Sequence, residues 1–210
     1  MWEILCYGDS NTWGYNPHTM DRYPRDVRWT GVLQRELGLD YHVIEEGLNG
    51  RTTVWDDPIE GYKNGREYLI PCLETHKPLD VVVILLGTND LKHRFSLTAF
   101  DIAAGAGVLV DVVQKSQAGR ENRAPEVLLI APPPLGKLSD FTQMFQGGVE
   151  KSKELGRFYK AVAEEKGCHF LDAGQILVSS EADGVHFDPE GHKALGQAVA
   201  QKVRKILGQH

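Results

Sequence analysis

Short, dense apolar runs alternate along the chain with longer stretches in which apolar residues recur every three or four positions. The first kind reads as β-strands and the second as amphipathic helices. Residues 2–7 predict a first strand that ends at Gly8. Trp29, Val32, Leu33 and Leu37 lie at helical spacing, and Gly38 ends that helix. Residues 41–44 predict a second strand, and 64–76 a helix with Pro71 as a point of kinking. Residues 80–86 (DVVVILL) are almost continuously apolar and β-branched, the pattern of a strand buried on both faces of a parallel sheet. A long helix follows over 98–114, where Gly105 and Gly107 allow close packing. Residues 127–130 predict a fourth strand, 149–166 a helix, 168–171 a fifth strand and 189–207 a last helix with Pro189 in its first turn. Residues 17–26, 135–148 and 172–188 read as loops. This alternation predicts one α/β domain over residues 1–210, with a parallel sheet covered by helices on both sides. There is no internal repeat, low-complexity segment or linker.

Charge narrows the function classes. The formal net charge is −6, which argues against a nucleic-acid or anionic-membrane partner, since both want a basic face. The three cysteines, Cys6, Cys72 and Cys168, form no C-x-x-C pair. Cys6 and Cys168 sit in strand-like runs, where a buried, inert thiol is expected, and a reducing, cytoplasmic setting fits. No basic segment followed by an apolar core suggests a signal peptide, and no apolar run approaches membrane-spanning length.

In parallel α/β sheets, ligands sit beyond the carboxyl ends of the strands. Four candidate pieces follow predicted strands there: Ser10, Gly50, Asn89 and the loop Asp183-Gly184-Val185-His186. A serine hydroxyl is a weak nucleophile and needs a base, which His186 can supply near neutral pH. Asp183, three residues earlier, can hold that imidazole in one tautomer. The Ser10 N–H, the Gly50 N–H and the Asn89 amide are candidate donors to a tetrahedral oxyanion. Each residue alone has a plainer reading. Asp9 and Ser10 can cap a helix, Gly50 and Asn89 are common in turns, and Asp183–His186 with Asp188 and His192 could contribute to a metal site. The pattern G-x-S-x-G is absent, as are dinucleotide and phosphate-loop motifs. Trp13 and Tyr15 read as pocket wall or local packing. His18, His42, His76, His93, His169 and His210 are scattered and need no role.

The blocks G-D-S-N (8–11), G-L-N-G-R-T-T (47–53), G-T-N-D (87–90) and D-G-V-H-F (183–187), with D-V-R-W-T-G (26–31) and P-P-P-L (132–135), resemble the SGNH hydrolase superfamily of GDSL-type esterases. Within it they are most similar to the bacterial arylesterase branch. The resemblance implies a three-layer α/β/α, flavodoxin-like fold with a central parallel sheet of about five strands. It implies a Ser10–His186–Asp183 triad, an oxyanion hole of Ser10, Gly50 and Asn89, and no cofactor or metal. The activity implied is hydrolysis of short acyl esters, usually acetyl, of aryl, alkyl or sugar alcohols. Some members pass the acyl group to alcohols or peroxide, and many form homo-oligomers. By position, the pocket should include Asn11, Tyr15, Lys92, Phe141, Phe145 and Val185. Asn11 departs from the leucine of many members, and Lys137 and Asp140 precede Phe141. Alternatives are a carbohydrate deacetylase, a thioesterase or lysophospholipase using the same triad, and a binding module without catalysis.

Overall fold

The computed structural model describes residues 1–208; His210 lies outside them. Five parallel strands form one sheet: β1 (Trp2–Gly8), β2 (Tyr41–Gly47), β3 (Val81–Leu85), β4 (Glu126–Ala131) and β5 (His169–Asp172). Their spatial order is β2-β1-β3-β4-β5, the flavodoxin-like arrangement of a doubly wound sheet. The helices are α1 (Ser10–Trp13), α2 (Trp29–Leu37), α3 (Gly65–His76), α4 (Ala99–Gln114), α5 (Gly148–Ser152), α6 (Leu155–Lys166) and α7 (Pro189–Ile206).

Successive strand side chains point to opposite faces. Tyr7, Val82, Ile84 and Leu129 therefore pack against α3, α4 and α6, while Ile4, Cys6, Val83 and Leu128 pack against α2 and α7. β3 is buried on both faces along its whole length, as its unbroken apolar run predicts. Gly107 lets α4 approach α6, since a Cβ there would lie 3.0 Å from Val162 Cγ1. Gly196 does the same for α7 and α2: a Cβ would meet the Trp29 carbonyl oxygen at 2.6 Å.

Two elements differ from expectation. β2 continues through Glu45 and Glu46 to Gly47, because both acids have partners: Arg28 and Thr30 hold Glu45, and His76 Nε2 lies 2.7 Å from Glu46 Oε1. The helix expected over 149–166 is two helices, α5 and α6. Ser152 Oγ donates to the Val149 carbonyl at 2.6 Å and accepts from the Leu135 N–H at 2.9 Å. Such back-bonding competes with the helix ladder and bends helices. α3 holds Pro71 within it, as the expected helix does. Cys6 and Cys72 are buried, but Cys168 is only half-buried; all three are free.

Register positions the site. Gly8 of β1 lies opposite Gly47 of β2 and Leu85 of β3. The three segments that leave these strands thus start level with one another at one sheet edge.

Candidate active site

Ser10 opens α1, a single turn beginning just past β1. Asp9 caps that turn, its Oδ1 accepting from the Asn11 N–H at 3.0 Å. Capping and presentation of Ser10 are therefore one arrangement: the cap fixes the turn, and the turn fixes the serine. Ser10 Oγ lies 2.9 Å from His186 Nε2, and His186 Nδ1 lies 2.6 Å from Asp183 Oδ2. Asp183 Oδ1 accepts from the backbone N–H groups of Val185 and His186, at 2.8 and 2.9 Å. Burial pushes the Asp183 pKa up, but the hydrogen bond and charge of His186, with the two N–H groups, outweigh it and hold the carboxyl below its ordinary value. Asp183 is thus an ionised acceptor, and His186 can take a proton from Ser10 Oγ.

Two further segments meet this line. Gly50 has φ +82°, a backbone that glycine takes without a steric penalty. Among the described residues, neither the Ser10 nor the Gly50 N–H has a hydrogen-bond acceptor. Asn89 Nδ2 lies 3.2 Å from the Arg51 carbonyl oxygen and 3.5 Å from Asp9 Oδ2. Arg51 donates to the Gly8 carbonyl at 2.9 Å, tying the Gly50 segment to the end of β1. The Thr53 N–H donates to Asp90 Oδ1 at 3.1 Å, and its hydroxyl to the same carboxyl, tying that segment to Asn89. Asp9 and Asp90 are buried behind these loops. Burial raises the Asp9 pKa to about 6 and the Asp90 pKa to about 7.

Ser10, Gly50, Asn89 and His186 line a cavity of about 210 Å³, below the roughly 300 Å³ at which drug-sized pockets begin. Its wall includes Tyr15, Lys92, Phe141, Phe145 and Val185. The Tyr15 ring lies 4.3 Å from the His186 ring, centroid to centroid. The Phe145 N–H donates to the Phe141 carbonyl at 2.9 Å, and this turn places both rings on the cavity. Asn11 is not in the wall. It is buried behind it, its Nδ2 donating to the Val185 carbonyl at 3.3 Å, so it joins α1 to the histidine loop. Lys137 and Asp140 also lie outside the wall. Three further residues complete the wall: Asn49, Met144 and Glu60. Met144 falls at helical spacing with Phe141 and Phe145, a usable signal. Glu60 sits in a polar stretch, DDPIEGYKNG, with nothing to mark it.

The metal reading of Asp183, His186, Asp188 and His192 gains no support. His192 is fully buried; its Nδ1 accepts from the Trp29 N–H at 3.2 Å, and burial lowers its pKa to about 3. It is a neutral anchor for the start of α2. Among the described residues, one group of three could converge on a metal ion: Glu46, Cys72 and His76. It lies on β2 and α3, away from Ser10. The Arg51 guanidinium acts on both Tyr68 and Cys72 there and opposes a second cation.

The pattern of the GDSL-like Lipase/Acylhydrolase family matches residues 6–194. The chain belongs to that family. It is a carboxylic ester hydrolase of the GDSL type. Among solved structures it is similar to the native aryl esterase of Mycobacterium smegmatis, with 46% identity over 98% of this chain and 100% of that one and a TM-score of 0.95. Est24, a carbohydrate acetylesterase of Sinorhizobium meliloti, shares 45% identity over 98% and 100% of the two chains, also at a TM-score of 0.95. A second carbohydrate acetylesterase family member from the same organism shares 42% over 99% and 100%, at 0.93. No curated protein sequence matches the chain.

Proposed function

We propose that this GDSL hydrolase is a serine esterase for short acyl esters, with Ser10 as nucleophile, His186 as general base and acid, and Asp183 as the group that orients His186. The observation that carries the reading is the line from Ser10 Oγ through His186 to Asp183 at 2.9 and 2.6 Å, opening on a cavity of about 210 Å³. His186 Nε2 takes the Ser10 proton as Oγ bonds to the ester carbonyl carbon. The carbonyl oxygen becomes an oxyanion, held by the Ser10 and Gly50 N–H groups and the Asn89 amide. When the intermediate collapses, the bond to the alcohol oxygen breaks, and the alcohol leaves with the proton from His186. Water then attacks the acyl-enzyme by the same route, giving up its proton to His186, which returns one to Ser10 Oγ. Activity should fall on the acid side, where an imidazole ordinarily takes up a proton.

Apolar walls from Phe141, Phe145, Met144 and Val185 favour an acyl-enzyme shielded from water, which supports acyl transfer to an alcohol as a side reaction. Two of the similar structures are named for carbohydrate acetyl esters. With the charged Glu60 and Lys92 in the wall, they support acetylated sugars as a second substrate reading, to be separated by rates on acetylated xylose against aryl acetates. Exposed Trp55, Ile59, Tyr62, Tyr68 and Ile70 lie within one stretch of chain and support assembly into a homo-oligomer.

The decisive experiment is p-nitrophenyl acetate hydrolysis by the native protein and by Ser10→Ala. Removal of a triad nucleophile should cost about 10³-fold or more in kcat. Equal rates would remove Ser10 from the mechanism, and the proposed function with it.

A further inference from the structure

One wall of the cavity is charged, and the charges are closed on themselves. Lys92, with its side chain 3% exposed, pairs with Glu60 Oε1 and lies 3.7 Å from Asp57 Oδ2. Arg94 reaches the same two acids, Asp57 Oδ1 at 3.4 Å and Glu60 Oε1 at 3.2 Å. Asp57 is fully buried and further held by the N–H groups of Ile59 and Glu60, at 2.9 and 3.1 Å. Two cations thus face two carboxylates. Only Glu60 and Lys92 of the four line the cavity. Glu60 Oε2 is not used in the pairing, and it lies over Gly50, where a Cβ would run into it. The free oxygen of Glu60 therefore stands beside the segment that carries a candidate oxyanion donor.

From this we infer that Glu60 is a specificity-determining residue that admits uncharged acyl chains and refuses those ending in a carboxylate. The inference rests on the esterase reading of the same site. A carboxylate entering this cavity of about 210 Å³ cannot keep far from Glu60 Oε2. It also finds Lys92 already engaged by Glu60 and Asp57. Like charges brought together repel, and with the Glu60 side chain 31% exposed that repulsion is partly screened by water and salt. Discrimination by an unfavourable contact needs no extra attraction for the favoured substrate. An uncharged acyl chain of the same length meets no such penalty and packs on Phe141, Phe145 and Val185.

The test compares p-nitrophenyl butyrate with p-nitrophenyl hemisuccinate, acyl groups of equal carbon count that differ in terminal charge. The quantity read is the ratio of kcat/KM for hemisuccinate to that for butyrate. In Glu60→Gln the cations outnumber the carboxylates, and the ratio should rise about tenfold, the scale of one partly screened charge contact. In Lys92→Met the carboxylates are in excess, and the ratio should fall. In the native enzyme the ratio should rise with ionic strength, because salt screens the repulsion. A plain loss of packing would not move the two variants in opposite directions. The inference is overturned if the ratio is the same in all three proteins, or if it is independent of salt in the native enzyme. The salt series needs no variant to fold. Both outcomes are read from butyrate turnover that is itself lost in Ser10→Ala. If butyrate turnover survives that change, it is the esterase reading that fails.

Discussion

Asp9 and Asp90 illustrate how a single residue can serve a site at a cost to the fold. Both carboxyls are buried behind the loops that carry Ser10, Gly50 and Asn89, and burial raises their pKa values from 3.8 to about 6 and about 7. Between pH ~4 and ~7 the folded chain therefore holds protons that the unfolded chain has released, and stability falls as pH rises through that window. Asp183 has the opposite sign: its pKa is depressed, so its contribution is present above the unfolded value and is lost only as pH falls through the folded one. Asp90→Asn removes one of the two raised carboxyls. Thermal melts at pH 5 and pH 8 should show a larger drop in Tm for the native protein than for this variant. Parallel behaviour of the two proteins would mean that Asp90 titrates normally. The proposed roles of Ser10, Asp183 and His186 are legible in the sequence because chemistry restricts which residue types can fill them. Asn11 could not: a polar residue beside a nucleophile reads as a pocket group, and only the contact with Val185 reveals a tether.

At the scale of the element, the sequence pattern located every strand and the long helices, because their apolar residues face one or two packed layers. It faltered where a polar side chain has a particular partner. Glu45 and Glu46 look like the end of a strand until Arg28, Thr30 and His76 are seen to hold them. Ser152 looks like an ordinary helix position until its hydroxyl is seen to serve both Val149 and Leu135. Close approach of helices is more legible where a glycine marks it, as at Gly107. Gly196 meets the Trp29 carbonyl oxygen and Val32, so Gly196→Ala should force α7 from α2. Overpacking of this kind costs about 1–3 kcal/mol. Urea denaturation of the two proteins would measure it, and an unchanged midpoint would show that the two helices separate freely.

For the whole molecule, strand order and register bring the candidate residues together: three adjacent parallel strands end level and deliver Ser10, Gly50 and Asn89 to one edge. Glu60 lay beyond sequence reasoning because its place in the wall depends on how a polar loop folds across the Gly50 segment. The same stretch carries the exposed Ile59 and Tyr62, at 75% and 101% of full exposure, the apolar surface on which the proposed assembly rests. Ile59→Asp combined with Tyr62→Asp should reduce the mass measured by light scattering on a sizing column; a native protein that already runs as a monomer would remove the assembly reading. Asp183 and His186, the proposed acid and base of the relay, sit three residues apart in one turn, with the acid clamped by two N–H groups of that turn. They travel as a unit. The relay accordingly has one seam, between His186 and Ser10, and Asn11 is stitched across it. On the proposed mechanism, a shift of the loop after β5 that breaks this seam would leave an intact acid–base pair turned away from its serine.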